Sequence, residues 1–100
     1  MNTLFEEETA WSRTKSPRSV LDYVPDWTKW LDAVNDLIAS VEIEFVGVAV
    51  DSHTISVNRK SIVIWVSGGT INMTGKVTVR ITTDAGRVDE RTMLFEIRAR

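Results

Sequence analysis

Between Lys76 and Arg98 the chain alternates twice, and a short break ending in glycine separates the two runs. Val77, Val79 and Ile81 interleave with Lys76, Thr78, Arg80 and Thr82. After Asp84-Ala85-Gly86 the chain returns with Met93, Phe95 and Ile97 set among Leu94, Glu96 and Arg98. Successive side chains of a strand point to opposite faces, so a period of two marks a strand with one face buried. Three residues closing on glycine suit a type I turn with a G1 bulge. That loop sets Thr83 opposite Arg87, and the pairing then steps outward to Arg80 opposite Glu90. A lone hairpin is marginal in water, so the rest of the chain must cover its apolar face.

The same period recurs upstream. Val41, Ile43 and Phe45 alternate with Glu42 and Glu44, Gly47 interrupts, and Val48 with Val50 forms a bent continuation. Ile55 and Val57 read as a short strand around Ser56, ended by Asn58-Arg59-Lys60. From Ser61 to Val66 the chain is apolar on both faces, with Val63 and Trp65 opposing Ile62, Ile64 and Val66. That pattern fits a central strand or one whose second face is covered. Ser67-Gly68-Gly69-Thr70 then breaks the run, because glycine supplies the positive φ that turns need. These short strands predict an all-β, immunoglobulin-like β-sandwich. Its inward residues are expected to be Val41, Ile43, Phe45, Ile62, Ile64, Val77, Val79, Ile81, Phe95 and Ile97. The chain has no cysteine, so the disulfide signature of antibody domains is absent and only the architecture is predicted. One hundred residues fit one domain.

Residues 1–19 keep neither a helical nor a strand period and read as an extended N-terminal arm, leaving residues 20–100 as the sandwich domain. Leu4, Phe5 and Trp11 are isolated apolar points in that arm. An isolated aromatic in a polar segment fits a pocket on another chain, so these three are the expected partner-binding residues. Val20–Tyr23 reads as a short extended stretch between Pro17 and Pro25. Asp26 then stands where an N-cap belongs, able to accept from the amide of Thr28 or Lys29. Trp27, Trp30 and Leu31 have the i, i+3, i+4 spacing of one helical face, which predicts a single short helical turn.

Nothing in the residue pattern assembles a catalytic centre. His53 is the lone histidine, placed by this reading in an inter-strand loop beside Asp51 and Ser52, and triads are not built from sequence neighbours. Glu6-Glu7-Glu8 and the group Asp84, Asp89 and Glu90 lack the ligand spacing of a calcium loop. Gly68-Gly69 is not followed by a phosphate-loop lysine. No catalytic residue, metal site or cofactor is expected. A formal net charge of −2 argues against binding along nucleic acid. No apolar run approaches the ~20 residues of a spanning helix, so no membrane insertion is expected. The acidic Glu6-Glu7-Glu8 stands where a signal peptide would be basic and then apolar, which points to folding in a cytoplasm. Trp27 and Trp30 allow two readings: a sugar-stacking platform or, with Tyr23, a cover over one open end of the sandwich. Large aromatics serve a small core well, which favours the cover.

Three motifs carry a resemblance that extends from about Lys15 to the end of the chain. They are the opening from Ser16-Pro17 through Val20-Leu21-Asp22-Tyr23 to Asp26-Trp27 and Trp30-Leu31, the turn Val66-Ser67-Gly68-Gly69-Thr70, and the hairpin from Thr83 to Arg91. In these the chain resembles the small bacteriophage proteins called fiber-tail adaptors. The resemblance implies a framework role for Asp22, Tyr23, Asp26, Trp27, Trp30, Gly68, Gly69, Gly86, Arg87, Asp89, Glu90 and Arg91. It implies a non-enzymatic component of the virion tail that joins tail and tail fiber by protein–protein contact. The implied partners are the tail tube or nozzle, the tail fiber and further copies of itself in a symmetric assembly, with assembly in the host cytoplasm. The alternative is an exposed decoration or receptor-binding module that holds host-surface glycan on aromatic side chains. The burial of Trp27 and Trp30 separates the two.

Overall fold

The computed structural model describes residues 10–99, with the side chains of residues 12–99. Seven strands and one short helix follow in the order β1 (Ala10–Lys15), β2 (Leu21–Tyr23), α1 (Thr28–Asp32), β3 (Ile38–Val46), β4 (Ala49–Ile55), β5 (Ile62–Ser67), β6 (Thr74–Thr83) and β7 (Val88–Ile97). They form a four-stranded sheet, β1-β7-β6-β3, and a three-stranded sheet, β2-β5-β4. The two sheets make an all-β, sandwich-like fold, as expected. The first strand lies on the β7 edge, in parallel.

The predicted hairpin is present in the predicted register. Thr83 and Arg87 close the loop through a 2.8 Å amide-to-carbonyl bond, and Arg80 pairs with Glu90. Gly86 sits at φ 89°, the left-handed conformation that the bulge requires. The core lies between the sheets. Ile62, Ile64 and Val66 of β5 meet Val77, Val79 and Ile81 of β6 and Met93, Phe95 and Ile97 of β7, all fully buried. Tyr23 meets the Phe95 ring edge-on, 4.9 Å between centroids.

Several expectations are corrected. Phe45 pairs with Val77 and so shares the inner-face register, yet it is 51% exposed. Among the described residues β3 has a strand neighbour on one side only, so even Val41 and Ile43 are only partly buried against the core. The segment expected to hold a loop histidine is β4, where His53 pairs with Ile64 on an exposed strand. A register shift between Val50 and Ser52 and a run of polar positions hide its period. Val57 lies in a turn and is fully exposed; Arg59, two residues on, takes φ 59°. β5 is central in its sheet, and its outward Trp65 is 42% exposed rather than covered.

Ala10–Lys15, read from sequence as part of the arm, is a strand of the sheet. It pairs from Ala10 with Thr92 to Lys15 with Ile97. Backbone bonding, which leaves no mark in the sequence, holds it there, and its most deeply buried described residue is a lysine. Lys15 is 1% exposed, and its ammonium donates to the carbonyl oxygens of Ser16 at 2.9 Å, Ser19 at 2.8 Å and Gly68 at 2.7 Å. An ammonium has three donors, so these three carbonyls satisfy it. Burial pushes the Lys15 pKa down, and the charge of Asp51 opposes that. The turn that supplies the Gly68 carbonyl requires glycine next door as well. Gly69 is at φ 113°, and a Cβ there would come within 2.6 Å of Ile97 Cδ1.

Candidate functional site

The segment from Asp26 to Asp36 and the first half of β7 close on each other at one end of the sandwich. Pro25 and Trp27 are tied to the start of β5: the Ile62 amide donates to the Pro25 carbonyl at 3.1 Å, and the Trp27 amide to Lys60 at 2.9 Å. The Asp26 carboxylate accepts from the Thr28 amide at 2.8 Å, as expected, but the N-cap position of the helix is Trp27 and not Asp26. The helical turn then buries Leu31 completely and turns both tryptophans toward the hairpin.

The hairpin answers with alternate residues of one strand face. Arg87, Asp89 and Arg91 are each partly buried, while Val88 and Glu90 between them are exposed. Arg87 stacks its guanidinium 3.9 Å from the centre of Trp30. Asp89 accepts the indole N–H of Trp27 at 2.7 Å. Arg91 lies 4.6 Å over Trp27 and donates to the Asp26 carbonyl at 2.6 Å. The two arginines and the aspartate thus grip two tryptophans one helical turn apart, combining cation–π contact with a charge-assisted hydrogen bond.

Asp36 completes the interlock, and sequence reading did not single it out. Its carboxylate is buried, accepts from the amides of Leu37 at 2.9 Å and Ala85 at 3.3 Å, and meets Arg87 Nε at 3.1 Å. Hydrogen bonding from Thr83, then from the Leu37 amide, Arg87 and the Ala85 amide, outweighs its burial and lowers its pKa to about 2. Nothing in the local pattern marks it, because Ala85 and Arg87, which tie it to the hairpin, lie 49 and 51 positions away.

The other motif residues fall elsewhere. Glu90 is exposed and accepts from Arg80, which also reaches Glu42. Gly68 and Gly69 lie at the far end of β7, beside Lys15 and Ile97. Asp22 sits on β2 opposite Trp65, away from the interlock. Leu4 and Phe5 lie outside the described residues, as does the Trp11 side chain, although the Trp11 backbone pairs with Met93. Glu6-Glu7-Glu8 is outside them too. Among the described residues no three of His, Asp or Glu come together as metal ligands. Asp51, the neighbour of His53, accepts from Ser67 at 2.8 Å. No helix among the described residues is long and apolar enough to cross a membrane.

Trp27 is fully buried and one face of Trp30 lies under Arg87, so the two indoles do not form an open platform. They pack as the cover over the sandwich end.

A family model described as podophage GP4 fiber-tail adaptor protein gp77 matches residues 15–96. The match spans more than four fifths of the chain and takes in all three motifs, and the chain belongs to this family. No curated protein gives a match.

Proposed function

We propose that this member of the podophage fiber-tail adaptor family is a non-enzymatic component of the virion tail that joins the tail tube or nozzle to the tail fiber through protein–protein contacts. One observation supports the reading above others. Trp27, Trp30, Arg87, Asp89, Arg91 and the Asp26 backbone are spent on one another, so they build a rigid end to the sandwich rather than a reactive cleft. A connector needs that rigidity, together with free strand edges and a tether.

Both are available. The outer edge of β3 has no strand neighbour among the described residues and ends in exposed Phe45 and Val46, a surface suited to strand addition. The N-terminal segment carries Leu4, Phe5 and Trp11 as anchors for a neighbouring subunit. Repeated copies in a symmetric assembly add avidity to each weak contact. Assembly takes place in the host cytoplasm and the product resides in the tail. The glycan-binding alternative needs an exposed aromatic pair, which Trp27 and Trp30 do not offer.

Native mass spectrometry of the purified chain, alone and mixed with tail-tube, nozzle and fiber proteins of the same phage, tests the reading. A ternary complex bridging tail and fiber is expected. Binding to neither side overturns it. Trp11→Ala is expected to weaken the complex by about 2 kcal/mol or more while leaving the thermal midpoint unchanged. A lowered midpoint with intact assembly makes Trp11 structural instead.

A further inference from the structure

The interlock accounts for most of the Asp22–Trp30 motif but leaves Asp22 unused. Asp22 is exposed, and its side chain forms no hydrogen bond or ion pair among the described residues. It stands directly across from Trp65, and Ser52 stands across from Trp65 on the other side. Facing positions in adjacent antiparallel strands place their Cβ atoms roughly 4.5–5.5 Å apart. A carboxylate, a half-open indole and a hydroxyl therefore form one row across the centre of the three-stranded sheet.

Among the described residues the outward positions around this row carry no cation. They are Asp22 on β2, Val63, Trp65 and Ser67 on β5, and Ala49, Ser52 and Thr54 on β4. Exposed Asp51 borders the row, bound to Ser67. The four-stranded sheet differs, since Arg80 is held there between Glu90 at 3.0 Å and Glu42 at 3.2 Å. Arg80 balances carboxylates on one sheet, and Asp51 lies within electrostatic reach of buried Lys15; among the described residues of this face, Asp22 alone presents an unpaired negative charge beside an aromatic ring.

Within the interlock the same chain shows what such a pair binds. Trp30 and Asp36 hold one guanidinium between them, stacked at 3.9 Å and hydrogen-bonded at 3.1 Å. Trp65 and Asp22 supply the same two groups on the surface. Resting on the adaptor reading above, we propose that the outer face of β2-β5-β4 is a docking surface for a neighbouring tail protein, and that its anchor is an arginine of that protein stacked on Trp65 and paired with Asp22. Arginine suits the row better than lysine because its planar fork can stack and pair at once. A half-buried aromatic ringed by small polar residues is also the usual anatomy of an interface hot spot.

The test measures affinity by calorimetry between the full chain and whichever tail-tube, nozzle or fiber protein it binds, for wild type, Asp22→Asn, Trp65→Ala and the double variant. Each single change is expected to weaken binding about tenfold or more, the value of one lost hot-spot contact. The double variant is expected to lose less than the product of the two, since both groups hold one guanidinium. Phenylglyoxal treatment of the partner, which consumes arginine, is expected to remove the same increment for wild type and little for the double variant. Asp22→Asn keeps size and shape on an exposed side chain, so its effect is separable from misfolding. Affinity unchanged by both substitutions overturns this inference alone. A wild-type chain that binds none of the tail proteins overturns the adaptor reading and this inference with it. Trp65-dependent binding to host oligosaccharide, or Trp65-dependent self-association without a partner, overturns the inference by giving the face a different occupant.

Discussion

Trp27 donates its indole N–H to the Asp89 carboxylate at 2.7 Å, joining residues 62 positions apart in the sequence. That single bond fixes the helical turn to the hairpin, because the ring it orients is fully buried and is itself covered by Arg91. A buried donor left without its acceptor costs more than an average hydrogen bond contributes, about 1–3 kcal/mol.

Asp89→Ala is therefore expected to lower stability by about 1–3 kcal/mol in urea denaturation, with the slope of the transition unchanged. Trp27→Phe removes the donor but leaves most of the apolar ring, so it should cost less than Trp27→Ala, expected at about 3–5 kcal/mol. If Asp89→Ala proves neutral, the interlock does not hold the sandwich end together.

Acid should loosen the same end through Asp36. Its folded pKa lies near 2, below the ordinary 3.8, so the folded state binds the proton less readily than the unfolded chain. The sign follows: the stabilising contribution is complete above the ordinary value and is lost as pH falls from about 4 toward 2. Stability measured against pH should drop across that window in the wild type and drop less in Asp36→Asn. Parallel acid limbs for the two proteins would show that other carboxylates govern the decline.

Lys15 should behave as a structural pin for the first strand. Lys15→Met keeps much of the stem but leaves three carbonyl oxygens, on Ser16, Ser19 and Gly68, without their shared donor. A cost of about 1–3 kcal/mol is expected. Amide hydrogen exchange in β1 should accelerate more than in β6, because among the described residues β1 is paired on one edge only. Equal acceleration throughout would mean that Lys15 supports the whole fold rather than the attachment of β1.

Local chemistry reaches as far as its neighbours along the chain, and the readings that succeeded were local ones. Arg80 opposite Glu90 follows from counting residues around a loop whose glycine dictates its geometry. The bond from the Thr28 amide to Asp26 follows from an acceptor two residues away. Alternation likewise identified Val77, Val79, Ile81, Phe95 and Ile97 as core, because a strand in the middle of a sheet is shielded on both flanks. Phe45 has the same alternation and is exposed, because period two specifies a face and not a place in the sheet. The strand order that puts β3 at an edge and β1 beside β7 is decided by how two sheets close over one core. The Lys15 carbonyl cage, the burial of Asp36 and the grip of Arg87, Asp89 and Arg91 on two tryptophans all arise at those long-range contacts. Residue type and spacing announced Trp27, Trp30, Arg87, Asp89 and Arg91 but neither Lys15 nor Asp36, and only the packed structure decided which residues meet.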